Sequence, residues 1–257
     1  MKSYPDMNKA CAKESEDTSE AGETHSSKKN CNDNRRLTLS KCTVFFDFDN
    51  TITPFDVIDD IVERFSINEK WRKIEEDWKR GKIGSKECLR GQFNEVRIKK
   101  NDFIRYLSAI RTDKYFPKIL TLLRNYKAFV AIVSDSSSFI INSVLKNNGI
   151  KGVRVYSNKL RFNKDRLILE FPHFNKRCPK CANCKKSHLR KIGVRDKISI
   201  YIGDGLSDIC AAECADVVFA KANLLKHFKK QNRKCFEFDT LKVVYNYLKE
   251  IGNGKEN

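Results

Sequence analysis

The sequence predicts an α/β protein, a doubly wound parallel sheet with a small helical unit inserted after its first strand. Three features carry that expectation. Apolar, β-rich runs at 42–48, 129–133 and 198–202 are continuous rather than alternating, as strands buried on both faces of a parallel sheet require. Each run gives way to polar residues, at Asp47, Ser134 and Asp204. Between the first two runs, residues 56–115 show helical spacing and no strand candidate, after which strands and helices alternate.

Residues 1–36 hold Ser, Glu, Lys, Asn and Thr with almost no large apolar groups, so they cannot offset the entropy of ordering and read as a disordered tail. The first strand begins at Cys42. Helical spacing follows in Val57, Ile58, Ile61, Val62 and Phe65, and again over 71–78. Gly81 and Gly84 punctuate the pattern, and a third helix starts at Ser85 with Cys88, Leu89, Phe93 and Val96. The core resumes with a helix over 119–126, the strand ending at Ser134 and a helix over 137–147. Shorter β-like pieces at 153–156 and 167–171 precede a helix over 185–192 and the strand 198–202, which enters Gly203-Asp204-Gly205. A helix with Ala211 and Ala212, a strand over 217–220 and helices near Leu224 and Val243 close the chain. The expected division is therefore a tail at 1–36, a catalytic core of 37–55 plus 116–257, and a helical cap at 56–115.

Composition narrows the function. The 257 residues carry a formal charge of +18. Seven basic and seven acidic residues cancel within 1–36, so the excess sits on the rest of the chain, where it would draw in an anionic substrate. Nucleic acid is disfavoured as a partner, because the lysines are scattered (Lys79-Arg80, Lys99-Lys100, Lys229-Lys230) without an aromatic-basic stripe. No stretch approaches the roughly 18 apolar residues of a membrane span. The start of the chain lacks an apolar export signal, and unevenly spaced cysteines suit a reducing cytoplasm.

Ligands of open parallel sheets collect at the carboxyl ends of the strands. Three such ends supply Asp47-Phe-Asp49-Asn-Thr51, Ser134-Asp135 and Asp204-Gly-Leu-Ser-Asp208. Neighbouring carboxylates repel unless a divalent cation joins them, and hard oxygen ligands favour magnesium. Asp47 could then attack phosphorus as a carboxylate nucleophile. Asp49 could protonate the leaving alcohol and later deprotonate the attacking water.

In this order, Asp47-Phe-Asp-Asn-Thr51, strand-terminal Ser134, a lysine and Gly203-Asp-Gly-Leu-Ser-Asp208 resemble the motifs of the haloacid dehalogenase superfamily over about residues 41–250. The resemblance implies Asp47 as nucleophile and metal ligand, and Asp49 as acid/base with its carbonyl on the metal. It implies that Thr51 holds the loop, that Ser134 and the amide of Asp135 bind phosphate, and that Asp204 completes the metal shell with Asp208 as a direct or indirect partner. Lys185, which opens a helix with Leu189 four residues on, matches the charge-neutralising lysine of the phosphoserine phosphatase branch.

That branch places a glutamate seven residues after the acid/base and an arginine on a cap helix; here the matching positions hold Asp56 and Gln92. A glutamine cannot pair a carboxylate as a guanidinium fork does, which disfavours phosphoserine. The Asp47-to-Asp56 opening, Gln92, Phe171-Pro-His173 and the run from Cys178 to Lys185 resemble the methionine-salvage 2-hydroxy-3-keto-5-methylthiopentenyl-1-phosphate phosphatases more closely. Phosphocholine or phosphoethanolamine, and a phosphoprotein, stand as alternative substrates. Asp56 and Gln92 read otherwise as a helix cap and a solvated face. Cys178, Cys181 and Cys184 have zinc-ligand spacing, with His173 or His188 as a fourth ligand; the competing readings are free thiols or a redox pair.

Overall fold

A computed structural model describes residues 38–176, 178, 180–192 and 197–254; the expected tail lies outside them. Strand β1 (Cys42–Phe46) is buried throughout. Its alternating side chains feed two cores, Val44 and Phe46 on one face of the sheet and Phe45 on the other. β2 (Phe129–Ser137) and β5 (Ile198–Gly203) flank it in parallel. Beyond them lie β3 (Arg154–Asn163), β4 (Arg166–Glu170), β6 (Val217–Ala220) and β7 (Phe236–Glu237), giving the order β4-β3-β2-β1-β5-β6-β7. Every neighbouring pair is parallel except β3 with β4.

Four helices intervene between β1 and β2 before the sheet resumes: α1 (Val57–Phe65), α2 (Lys70–Lys79), α3 (Ser85–Glu95) and α4 (Lys100–Ser108). Asp56 caps α1 by accepting a hydrogen bond from the Asp59 amide at 2.9 Å. Trp71, Leu89, Phe93 and Phe103 of these helices share one core with Val44 and Phe46, so the insert and the sheet are packed together. α5 (Phe116–Asn125), α6 (Ser138–Asn147) and α10 (Leu241–Gly252) bury their apolar stripes in that same core. The opposite face is covered by α7 (Lys185–Ile192), α8 (Ile209–Ala212) and α9 (Ala222–Lys230), through Leu189, Ile209, Leu224 and Phe228.

The structure departs from the sequence-based expectation in three elements. The β-like pieces at 153–156 and 167–171 form a longer antiparallel hairpin, in which Leu160 and Phe162 alternate with Lys159, Arg161 and Asn163. Phe162 packs edge-on against Phe139 and Phe103, at 5.1 and 5.9 Å, which makes the alternation a half-buried strand. β2 runs on past Ser134 to Ser137, with its pairing to β3 broken between Val133 and Ser137. β7 is a two-residue edge strand whose residues are exposed, too short to leave a periodic signal.

Candidate active site

Register sets the geometry. Phe46 pairs with Ile132 on one side and Ile202 on the other, so Asp47, Ser134 and Asp204 leave the sheet at one edge. That edge is flanked by strands that continue in opposite directions across the sheet, where a crevice forms. Asp47 and Asp49 are 5% and 7% exposed, so two carboxylates that composition alone would place at the surface are almost fully removed from water.

Lys185 compensates part of that charge. Its Nζ donates to Asp47 Oδ1 at 2.8 Å, to Asp208 Oδ1 at 2.6 Å and to Ser207 Oγ at 3.2 Å. Burial works against the ammonium, yet Asp208 and Asp47 outweigh it and hold its pKa well above the ordinary lysine value. Asp47 moves upward too, through burial first and then the carboxylates of Asp208 and Asp204 against the pull of Lys185. A single ammonium thus faces three carboxylates, Asp47, Asp204 and Asp208, whose oxygens come within 4.8 Å of one another. Among the described residues this is the group of metal-ligating side chains that could share an ion. Its hard oxygen donors and unbalanced charge fit magnesium.

Asp208 is held from four sides. Its Oδ1 also accepts from Tyr201 Oη at 2.6 Å, and its Oδ2 accepts from the amides of Asp204 at 3.0 Å and Gly205 at 2.8 Å. With both oxygens committed, Asp208 anchors Lys185 and the 203–208 turn. Gly203 is required here, because a Cβ would stand 2.7 Å from Asp208 Oδ2 and 2.9 Å from the Tyr201 ring. Asp204 is fixed by Asn50 Nδ2 at 2.8 Å and Thr51 Oγ1 at 3.1 Å. Thr51, expected on the substrate side, therefore directs its hydroxyl to this carboxylate. The loop that presents Asn50 and Thr51 turns through a left-handed Asn50 (φ 50°), a conformation asparagine tolerates.

Asp49 Oδ1 accepts from the Val57 amide at 3.2 Å, and Oδ2 accepts from Ser134 Oγ at 3.4 Å. Burial, followed by the charges of Asp56 and Asp47, raises its pKa well above the carboxylate norm, which suits a group that must hold a proton. Asp56 is itself pushed up to about 7, by burial first and Asp59 second. It acts as the helix cap already described, within electrostatic reach of Asp49. Gln92 is buried on α3 at 3% exposure, not on a solvated face.

Sequence reasoning missed Asn183. The break in the β2–β3 ladder leaves backbone carbonyls unpaired around 134–136, and two asparagines fill the gap. Asn183 Nδ2 donates to the Ser134 carbonyl at 2.8 Å and the Tyr156 carbonyl at 2.9 Å. Asn158 Nδ2 donates to the Asp135 carbonyl at 2.7 Å, and the Asn183 amide donates to Asp135 Oδ1 at 2.9 Å. With its Nδ2 facing two carbonyls, the Asn183 side-chain oxygen must face His188 Nε2, 2.7 Å away, and that nitrogen carries the proton. Asn183 thereby ties the second strand end to the segment that carries Lys185. Its one sequence signal is a polar residue two positions before that lysine.

The zinc expectation is not supported. The Cys178 and Cys181 sulfurs face each other at 3.4 Å, but Cys178, Cys181, Cys184 and His173 form no ion-sharing group among the described residues. His188 is committed to Asn183, and His173 meets the His188 ring edge-on at 4.7 Å.

A family model described as Putative Phosphatase matches residues 42–244. The 2-hydroxy-3-keto-5-methylthiopentenyl-1-phosphate phosphatase of Bacillus pumilus is 26% identical over 220 residues, covering 83% of this chain and 94% of that protein. The protein of the same name from Lysinibacillus sphaericus is 29% identical, covering 79% and 94%. A bifunctional enzyme MtnB/MtnX of Bacillus licheniformis is 27% identical over 85% of this chain, which spans 52% of that longer protein. Among solved structures, a substrate-bound phosphoserine phosphatase complex aligns with a TM-score of 0.62 at 21% identity, covering 80% of this chain and 97% of that one. A phospho-aspartyl intermediate analogue of phosphoserine phosphatase gives 0.63 at 22%, covering 80% and 98%. The structural likeness establishes the fold, the family match spans most of the chain, and together they make this chain a member of the Putative Phosphatase family, a phosphatase of the haloacid dehalogenase type in the branch of the methionine-salvage and phosphoserine enzymes.

Proposed function

We propose that the chain is a magnesium-dependent phosphomonoesterase for a small phosphorylated metabolite, with a methionine-salvage ketose phosphate as substrate and an aspartyl phosphate on Asp47 as intermediate. The observation that carries this reading is the Asp47–Lys185–Asp208 chain at 2.8 and 2.6 Å beside a buried, proton-holding Asp49.

Asp47, Asp204 and the Asp49 carbonyl would hold the ion, which would supply positive charge for the phosphoryl oxygens. Lys185 neutralises a further phosphoryl oxygen and holds the Asp47 carboxylate in place. Ser134 and the Asp135 amide bind the remaining phosphate oxygens. Asp47 attacks phosphorus in line with the leaving alcohol, and Asp49 gives that alcohol its proton. Asp49, now ionised, takes a proton from the water that cleaves the aspartyl phosphate. Asn50 and Thr51 keep Asp204 aimed at the ion site throughout, and residues 56–115 serve as the cap over the reaction. The described cysteines are free thiols, which supports a cytoplasmic setting.

Buried Gln92 supports the substrate choice. A glutamine leaves a substrate carboxylate without the paired cation that phosphoserine recognition calls for, whereas a keto or hydroxyl group can use its amide. The test compares kcat/KM at fixed magnesium for the methylthiopentenyl phosphate, phosphoserine, phosphocholine and phosphoethanolamine, and a phosphopeptide. The ketose phosphate is expected to lead. Phosphoserine ahead by tenfold would overturn the substrate and leave the chemistry; turnover insensitive to chelation and to Asp204→Asn would overturn the metal site.

A further inference from the structure

A recess of about 350 Å³ lies between the insert and the core. Its inner end is made by Asp135 and Ser207. Asp135 follows the serine that bonds Asp49, and the Ser207 hydroxyl shares Lys185 with Asp47, so the recess begins where the phosphoryl group would end. Its walls differ in character from that end. Trp78 and Ile83 come from the insert, and Leu206 and Ile209 from the core. The insert wall is pinned in place: Trp78 Nε1 donates to Ser85 Oγ at 3.0 Å, and the Ser85 amide donates to the Lys180 carbonyl of the core at 2.8 Å. An indole held by its own N–H is a fixed apolar surface. The rim carries Lys82 and Lys180 together with Glu87, so with Asp135 the recess has two charges of each sign and no excess negative charge for a cationic tail.

We propose that this recess receives the apolar end of the leaving alcohol, and that Trp78 and Ile83 of the insert with Leu206 of the core select substrates by the length of that end. The proposal rests on the phosphomonoesterase reading above and adds to it a substrate class: phosphate esters whose polar, reacting end continues into a short uncharged chain. A pocket of this size, apolar with a few polar groups at one end, is built for such an amphiphilic molecule.

The experiment measures kcat/KM for a series of alkyl phosphates from methyl to hexyl, with magnesium, on the full chain. For the wild type, each methylene that enters the recess should raise kcat/KM about fourfold. Trp78→Ala and Ile83→Ala are read separately, so that one misfolded variant does not decide the outcome. Each should cut the hexyl-to-methyl ratio by about tenfold or more, and Trp78→Phe should restore part of it. A ratio that stays at the wild-type value in the folded variants, or a wild type indifferent to chain length, would overturn the recess as the tail site. Absence of hydrolysis of every ester by the wild type is a different result, which would overturn the phosphatase reading itself.

Discussion

Asn183 offers the sharpest test of how the second strand end is held. Its side chain makes three buried contacts at 2.7 to 2.9 Å, with the carbonyls of Ser134 and Tyr156 and with His188 Nε2. Asn183→Ala removes all three and leaves two carbonyls and an imidazole N–H without partners. At about 1 kcal/mol for each lost bond, the variant should be destabilised by about 3 kcal/mol. For a chain of this size that corresponds to roughly 6 to 12 °C in Tm. Asn183→Asp is nearly isosteric but replaces the donating Nδ2 by an acceptor facing two acceptors, so it should cost more than the alanine. A loosened 134–136 segment should also lower kcat/KM, by about a hundredfold for a displacement near 1 Å. Thermal unfolding followed by circular dichroism, with ester hydrolysis alongside, measures both. An Asn183→Asp protein that melts within a degree of wild type would refute the stitching of β2 to the Lys185 segment.

Three further outcomes follow from named contacts. Gly203→Ala should destabilise by about 2 kcal/mol and impair magnesium-dependent turnover, because its Cβ would collide with Asp208 and Tyr201; wild-type melting and activity would remove the steric argument. Asp47→Asn should abolish turnover while melting no lower than wild type without metal, since it deletes a buried charge that burial and two carboxylates disfavour; retained activity would exclude Asp47 as nucleophile. His188 is held down to about 4, by burial first and the neighbouring His173 second. Its folded pKa lies below the unfolded value near 6.5, so its contribution is complete above that pH and declines as pH falls toward 4, by about 3 kcal/mol at most. Denaturant titrations between pH 7 and 4.5 should therefore give a smaller loss for His188→Gln than for wild type, and equal losses would exclude this histidine as the source.

Legibility in the sequence tracked burial. β1, β2 and β5 announce themselves because a strand covered on both faces has no polar position until it leaves the sheet, and the first polar residue is then the functional one. Asp47, Ser134 and Asp204 were found by that route. Lys185 needed the family resemblance, since nothing in its own neighbourhood separates it from Lys186. Asn183 stayed hidden because its role depends on a broken ladder between β2 and β3, a pairing defect between segments far apart in the chain. The cysteines on either side drew the eye instead, and their spacing suggested a metal that the arrangement of their side chains does not support. Tyr201 left a fainter trace: a tyrosine in a strand buried on both faces needs a partner for its hydroxyl, and Asp208 is that partner.

The charge arrangement explains why so much hydrogen bonding surrounds so few reacting atoms. Asp204 is pushed up to about 6 by burial and then by Asp208, and Asp47 and Asp49 are raised by burial and neighbouring carboxylates as well. Left to themselves these groups would take up protons, and the cluster would lose both its nucleophile and its affinity for a cation. The fold resists this with donors that are already oriented: two backbone amides and the tyrosine on Asp208, Asn50 and Thr51 on Asp204, and Lys185 between Asp208 and Asp47. Asp49 is treated differently, receiving one amide and a long hydroxyl contact at 3.4 Å and no lysine hydrogen bond. Two carboxylates two residues apart are thereby driven toward different states, Asp47 toward the anion that attacks and Asp49 toward the acid that donates. That separation follows from which donors the strand ends supply, and it is the physical basis for assigning the two roles in this order rather than the reverse.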